Sequence, residues 1–539
     1  MTSRSDLRTP QPRGRPSPPA RTVADALDHA LIARLACRVP TTADAPRIIT
    51  SAPFTGTDIA RLPQTPPDEV RRAAARARAA QPAWAARPVR ERAAILRRLY
   101  DRVVARRGQV LDLLQIEAGK ARADAFNEVV DIAITTGWYA RRGPRLLADR
   151  RRGGLFPGLT VATEVQHPVG VVGVIAPWNF PLTLALAEAL PALLAGNAVV
   201  LKPDTQVALT ALWAAEQLED AGLPEHLFQV VLGDGPVVGP ALIAEVDYVC
   251  FTGSTAVGRT VAQQAASRLA GASLELGGKN GVYVAADADL DRAVPTVLRD
   301  CFAGAGQVCV AMERVVLHRD IADAFLERFI ALVERQRMGP AVDWSTDLGC
   351  LVSRGQLERV RGHVDDAVAR GARVLTGGVT RDDLGPLFYA PTVLEGVPRA
   401  ATCYAQETFG PVVAVSRVAS AGEAVALIND TEYGLNASVW SRNLPRARQI
   451  ARRITTGTVT INESFVTSWS AIAAPMGGRG QSGIGRRHGA QGLLRFTEPQ
   501  TITEHRTGNE PLYALGGRRM AGVITWALRA ARRAHLPWP

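Results

Sequence analysis

GVVGVIAPWNFP, residues 170–181, decides the fold. It opens with an apolar run too short for a helix and ends on proline and aromatic residues, the profile of a strand buried on both faces. NAVVLKP at 197–203, HLFQVVLG at 226–233 and VDYVCFTGS at 246–254 repeat that profile. Helical patterns separate them: one from Leu182, one over 208–221, one near Val237 and one over 256–269. Strand and helix in alternation signify a parallel sheet with helices on both faces. Upstream, residues 67–150 are rich in Ala and Arg at helical spacing and predict long amphipathic helices. A short alternating stretch, Leu159 to Gln166, reads as an exposed strand. Downstream, a second α/β block runs from near Gly277 to about residue 470, with strand-like GVYVAA, RVVLH, YAPTVLEG, FGPVVAVSRV and NASVWS.

With 539 residues, 47% hydrophobic and 21% charged, the chain has globular composition and length for two to four domains. Its formal charge is +12, but most of that lies at the ends. Residues 1–21 carry five Arg against one Asp, and residues 506–539 six Arg against one Glu. The body is therefore close to neutral, which argues against a nucleic-acid groove. Lysine occurs only three times, at Lys120, Lys202 and Lys279, every other basic residue being arginine. The six cysteines show no CxxC spacing and read as reduced cytosolic thiols. The Pro-, Arg- and Ser-rich N-terminus lacks a continuous apolar segment, so residues 1–45 are expected to be a mostly disordered leader rather than a signal peptide. No run approaches the ~20 apolar residues that span a bilayer. A cytoplasmic location is the expectation.

Several residues could carry chemistry. FTGSTAVG follows an apolar strand and opens a helix, placing Gly253 and Ser254 where backbone N–H groups can meet a phosphate. An ordinary strand-to-helix turn reads the same way. Lys202 ends a buried strand, at the edge where open α/β sheets bind ligands. In a chain that uses arginine almost throughout, a retained lysine signals that a compact ammonium is needed. Cys309 follows Gly-Ala-Gly in FAGAGQVCV, and Glu275 stands between apolar residues at a strand end before two glycines. A cysteine alone is more often inert packing, and a buried acid more often a backbone partner than a base.

In combination, PWNFP at 177–181, LKP at 201–203, FTGS at 251–254, LELGGK at 274–279, GQVC at 306–309, ETFGPV at 407–412 and PMGG…SGIG at 475–485 resemble the aldehyde dehydrogenase superfamily. The resemblance covers roughly residues 50–505. Within it, KPD, APMGG and GRRHG look like the actinobacterial branch named for NADP-dependent succinate-semialdehyde dehydrogenase.

The resemblance implies a doubly wound, Rossmann-like cofactor domain (46–158 and 167–276), an α/β catalytic domain (277–490) and an oligomerisation β-arm (159–166 and 491–506). It implies a dimer or tetramer and no metal. It makes Cys309 the nucleophile, Glu275 the general base, and the Asn179 amide with the Cys309 backbone N–H an oxyanion hole. For the cofactor it implies Lys202 at the adenosine ribose, Gly253 and Ser254 at the pyrophosphate, Glu407 at the nicotinamide ribose with Phe409 beside it, and Trp178 and Leu276 in the same cleft. NAD-preferring members usually carry a Glu three residues after the lysine, where this chain has Thr205. A hydroxyl can donate to a 2′-phosphate that a carboxylate would repel, so NADP is expected to be preferred, with NAD as the alternative and the Asp204 carboxylate in its favour.

The substrate reading is divided. Succinate-semialdehyde enzymes use arginines at positions that here are Ala187 and Ala303, so an apolar aldehyde competes, and Trp469 at the expected substrate mouth suits one. A Lys and a Glu common in the family are replaced by Glu188 and Arg487, which are expected to pair with reversed signs. A cysteine hydrolase is the alternative enzyme class, but no histidine lies in these motifs. A binding role without catalysis is disfavoured because the cysteine, glutamate and asparagine are all present. Residues 507–539 form a basic amphipathic tail, expected to pack as a helix on the enzyme or its neighbour rather than on a membrane surface through 520–535.

Overall fold

The apolar runs identified above form one six-stranded sheet in the computed structural model, which describes residues 20–42, 44–153, 160–505 and 516–535. Its order is Gly483–Ile484, Gly271–Glu275, Tyr248–Thr252, Val171–Ala176, Ala198–Pro203, Phe228–Val230, parallel throughout except for the first strand. The chain enters at Val171–Ala176, winds outward to Phe228–Val230, then returns to Tyr248–Thr252 on the other side. The winding reverses between these central strands, and a ligand crevice opens at such a reversal, outside the carboxyl ends of the strands. Every residue of the helix Pro181–Ala195 is buried, as its apolar circumference requires. The Ala- and Arg-rich segment forms four helices, Pro67–Ala85, Val89–Ala105, Arg107–Ala118 and Arg122–Leu146.

The second block is a seven-stranded sheet in the order Arg373–Thr376, Thr392–Glu395, Val412–Val418, Met312–His318, Asn280–Val284, Asn436–Trp440, Thr458–Ile461. Only Arg373–Thr376 runs antiparallel to its neighbour. Glu275 ends a strand of the first sheet and Asn280 begins one of the second. The four residues between them, Leu-Gly-Gly-Lys, therefore join the two sheets at the site.

Three expectations change. The leader expected to be disordered contains the helices Val23–Ala26 and His29–Ala36, with Val23, Leu31 and Leu35 buried and Arg34 paired to Glu216 at 2.8 Å. Its apolar residues are sparse but recur on one face, which suffices for docking on a larger body. Residues 1–19 lie outside the described residues. The arm is three-stranded: Thr497–His505 pairs with Thr160–Pro168, which pairs with Arg150–Gly153, all antiparallel. The arginine-rich Arg150–Gly153 has no apolar alternation to announce a strand, and Leu493 belongs to the helix Gly489–Leu494. Leu159 and Arg506, expected at the ends of the arm, lie outside the described residues. In the tail, the helix Gly517–Arg533 forms, but Trp526, Val523 and Leu528 remain exposed.

Candidate active site

Cys309 follows a turn of unusual backbone. Gly304, Ala305 and Gly306 all have positive φ, at 59°, 55° and 71°. Alanine is strained there, and a Cβ on Gly306 would stand 2.1 Å from the Gly410 carbonyl oxygen. The turn persists because its polar groups are held. Asp124 accepts from the Gly304 N–H at 2.8 Å, and Asn280 donates to the Cys309 and Ala311 carbonyls, each at 2.8 Å. Gln307 donates to the Cys350 carbonyl at 3.2 Å and accepts from the Val352 N–H at 3.0 Å. Asn179, just past the strand Val171–Ala176, donates to the Gln307 carbonyl at 3.0 Å, which fixes its amide near the cysteine.

Cys309, Glu275, Asn179 and Glu407 line one cavity, with Trp178, Gly253, Ser254, Leu276 and Phe409 in its walls. Burial, then the carboxylates of Glu407 and Glu275, push the Cys309 thiol up to about 12. The resting group is a thiol that needs a base. Burial raises Glu275 to about 7, with Arg487 and Arg486 opposing. Its buried Oε1 has no hydrogen-bond partner among the described residues, which leaves an acceptor for a water or thiol proton. Glu407 accepts from the Gly278 N–H at 2.8 Å and is raised to about 8 by burial and by Glu313. Gly277 must lack a side chain, because its Cβ would stand 2.2 Å from a Glu407 carboxylate oxygen. Phe409 is held at φ 56° and packs edge-on to Trp178 at 5.5 Å.

A second cleft continues from Trp178 and Gly253 past Lys202 and Asp204 to the apolar wall of Val257, Val261 and Ile243. The buried Lys202 ammonium donates to the Pro203 carbonyl at 3.0 Å, leaving donors for a ligand in the cleft. Burial lowers its affinity for the proton, opposed by Asp204 and Asp234. The helix Thr255–Ala266 begins beside it, capped by Ser254. A flat apolar slot, a cation and a helix N-terminus fit a nucleotide with its phosphates. Thr205 does not line this cleft. Asp204 accepts from the Gln206 N–H at 2.9 Å and caps the turn Thr205–Val207, and its own side chain is the one at the cleft.

A separate cavity, reaching Ala303 at the start of the Cys309 turn, is walled by Phe180 and Trp469, 4.6 Å apart and edge-on, with Asp124, Asn127 and Asp131. Trp469 and Ala303 both line this cavity, the candidate substrate mouth, whereas Ala187 is buried and not in its wall. The two aspartates carried no sequence signal. They sit on the helix Arg122–Leu146 among many other charged residues. Asp131 is buried beside the Thr183 hydroxyl, and burial raises it to about 7, with Arg487 opposing.

Glu188 and Arg487 pair as expected, Oε1 to Nε 3.4 Å, and Arg495 contacts the other Glu188 oxygen. All three lysines are buried: Lys120 pairs with Glu128 at 2.5 Å, and Lys279 pairs with Glu313. Glu313 also accepts from the Thr408 and Phe409 N–H groups at 3.0 and 2.9 Å, so it clamps the loop that presents Glu407. Nothing in its local sequence marked it.

Residues 41–502 match the model of the aldehyde dehydrogenase family. A Mycobacterium tuberculosis protein named as a putative NADP(+)-dependent succinate-semialdehyde dehydrogenase is 49% identical over 456 residues, 85% of this chain and 88% of its own. Among solved structures, an NADP-dependent enzyme of E. coli superposes with a TM-score of 0.82 at 34% identity, over 85% of this chain and 95% of that one. An NAD-dependent aldehyde dehydrogenase from Sinorhizobium meliloti gives 0.84 at 33%, over 87% and 94%. The chain belongs to the aldehyde dehydrogenase family. It is an oxidoreductase acting on an aldehyde group.

Proposed function

We propose that the enzyme oxidises succinate semialdehyde to succinate with NADP, through a thioester on Cys309. The observation that carries the chemistry is the convergence of Cys309, Glu275 and Asn179 in one cavity beside a nucleotide-shaped cleft. The name borne by relatives of nearly half-identical sequence supports the substrate and the cofactor. Thr205 lies outside the cleft and does not decide the cofactor, whereas Asp204 at the cleft keeps NAD as an accepted alternative.

Lys202 and the turn at Gly253 and Ser254 hold the adenosine and phosphate portion, and Glu407 and Phe409 the nicotinamide end. When bound, the nicotinamide supplies the hydride acceptor. Glu275 takes the thiol proton, directly or through water, and the Cys309 sulfur adds to the aldehyde carbon. Asn179 and the Cys309 backbone N–H stabilise the negative charge that develops on the aldehyde oxygen. After the thiol proton has passed from Glu275 to solvent, Glu275 takes a proton from the water that cleaves the thioester and returns it to the departing Cys309 sulfur, releasing the acid and the thiol. A homodimer or homotetramer built on the arm, whose strand Thr497–His505 exposes residues 498–504, and a cytoplasmic location complete the proposal.

An apolar aldehyde is the second reading, favoured by the Phe180–Trp469 wall and by alanine at both expected arginine positions. The deciding experiment measures kcat/KM for succinate semialdehyde and for aliphatic and aromatic aldehydes, each with NADP and NAD, by nicotinamide absorbance. A larger kcat/KM for succinate semialdehyde with NADP supports the first reading. A larger value for the uncharged aldehydes replaces it with the second, and turnover without nicotinamide reduction would mean a cysteine hydrolase instead.

A further inference from the structure

Beyond the family match, which ends at residue 502, the chain carries the helix Gly517–Arg533. It holds five arginines, Arg518, Arg519, Arg529, Arg532 and Arg533, and no acidic residue. Met520, Ile524, Ala527 and Ala531 recur every three or four residues, so they share one face, and they are the helix's least exposed positions. The apolar arc is wider than that stripe. Val523 and Leu528 flank it and are 47% and 45% exposed. Trp526 is 71% exposed and lies three residues after Val523 on one boundary of the arc. Arg519 and Arg533, seven residues to either side of Trp526, share its face. An indole at the edge of an apolar arc, flanked by guanidinium groups, matches the boundary between lipid headgroups and acyl chains. The helix spans about 25 Å, but its arginines keep it from crossing: no helix among the described residues is long and apolar enough to span a membrane.

Other occupants fit less well. A second copy of this chain offers a nearly neutral body, a weaker counter-charge for five arginines than an anionic surface. A nucleic-acid backbone would satisfy the arginines but leave Val523, Trp526 and Leu528 without apolar contacts.

We infer that the helix Gly517–Arg533 docks this enzyme peripherally on an anionic lipid bilayer, lying in the interface with its arginines on the headgroups. The bilayer takes the exposed apolar edge of Val523, Trp526 and Leu528. The inference is independent of the reading of the active site.

Co-sedimentation of the full chain with vesicles tests it. Equal parts phosphatidylglycerol and phosphatidylcholine should bind the protein, added salt should weaken binding, and phosphatidylcholine alone should bind at least about tenfold more weakly. Replacing Arg529, Arg532 and Arg533 together by Gln should weaken binding about a hundredfold, since each basic residue contributes about tenfold or somewhat less. Trp526→Ala should weaken it about tenfold. These residues are exposed and outside the catalytic cavity, so both variants should oxidise aldehyde in solution at the wild-type rate. Equal binding to both vesicle types, or no binding by the full chain, overturns the inference. So does a triple variant that changes oligomeric mass, or affinity for duplex DNA, while leaving vesicle binding intact.

Discussion

The cleft beside Cys309 and the cavity at Ala303, the candidate substrate mouth, are built on different principles. The cofactor side is made at strand ends: Trp178 and Asn179 after Val171–Ala176, Lys202 within Ala198–Pro203, Gly253 and Ser254 after Tyr248–Thr252, and Glu275 closing Gly271–Glu275. Each such residue is announced by the apolar run before it. The mouth is made from helix sides and turns: Asp124, Asn127 and Asp131 from one helix, Trp469 from another, Phe180 and Ala303 from turns. A site assembled at strand ends has a local signature in sequence. One assembled from helix faces does not, because its members are scattered among ordinary surface positions until the helices pack.

The comparison can be broken or sharpened, beginning at Cys309. Cys309→Ala should lower aldehyde oxidation by at least about 10⁴-fold while leaving cofactor binding, read by fluorescence titration, unchanged. Retained turnover would dissolve the site. Glu275→Gln should slow turnover, read by nicotinamide absorbance, by about 10²–10⁴-fold, because thiol deprotonation and thioester hydrolysis both lose their base. Because burial raises the Glu275 carboxyl to about 7, its basic form grows as pH rises through that value. The wild-type rate should therefore climb across about pH 6 to 8, and the climb should vanish in Glu275→Gln.

On the cofactor side, Lys202→Arg should raise the KM for the cofactor by about tenfold with a smaller change in kcat, since a guanidinium fork does not replace a buried ammonium. On the mouth side, Asp131→Asn should give the smallest effect. The KM for succinate semialdehyde should fall about threefold, because a carboxylate near its distal charge is removed, while that for an aliphatic aldehyde stays put. An opposite pattern would mean that Asp131 does not face the substrate. Its raised carboxyl also has a stability signature. The contribution of a buried acid is fully present below its unfolded value, about 4, and is lost as pH rises through its folded value of about 7. Asp131→Asn should accordingly raise the Tm at pH 8 and leave it nearly unchanged at pH 4.

The buried charges behind the site lie between these extremes. The reversed pair of Glu188 and Arg487 could be read from two departures from family pattern, but Arg495 as a second partner of Glu188 could not. Lys279 stood out in the sequence because lysine is rare. Its partner Glu313 did not, being one of many glutamates, yet it orients the backbone that carries Glu407 and Phe409. The N-terminal helices were missed because a short amphipathic segment is stable only on a larger surface, and nothing local reports that surface.

By itself the sequence determined the two α/β blocks, which rest on local patterns of apolar runs and glycine turns. Cys309, Glu275, Asn179 and the doubly wound cofactor domain came only from the combination of motifs that resembles the family, and Lys202 stood out because lysine is rare. Only the tertiary structure decided that Asp204 and not Thr205 meets the cofactor cleft, that two aspartates stand at the mouth, and that Glu275 keeps a buried oxygen without a partner among the described residues. These depend on which side of a turn or helix faces a wall contributed from far along the chain, and burial, the cause of the shifts at Glu275 and Asp131, exists only once those walls have closed.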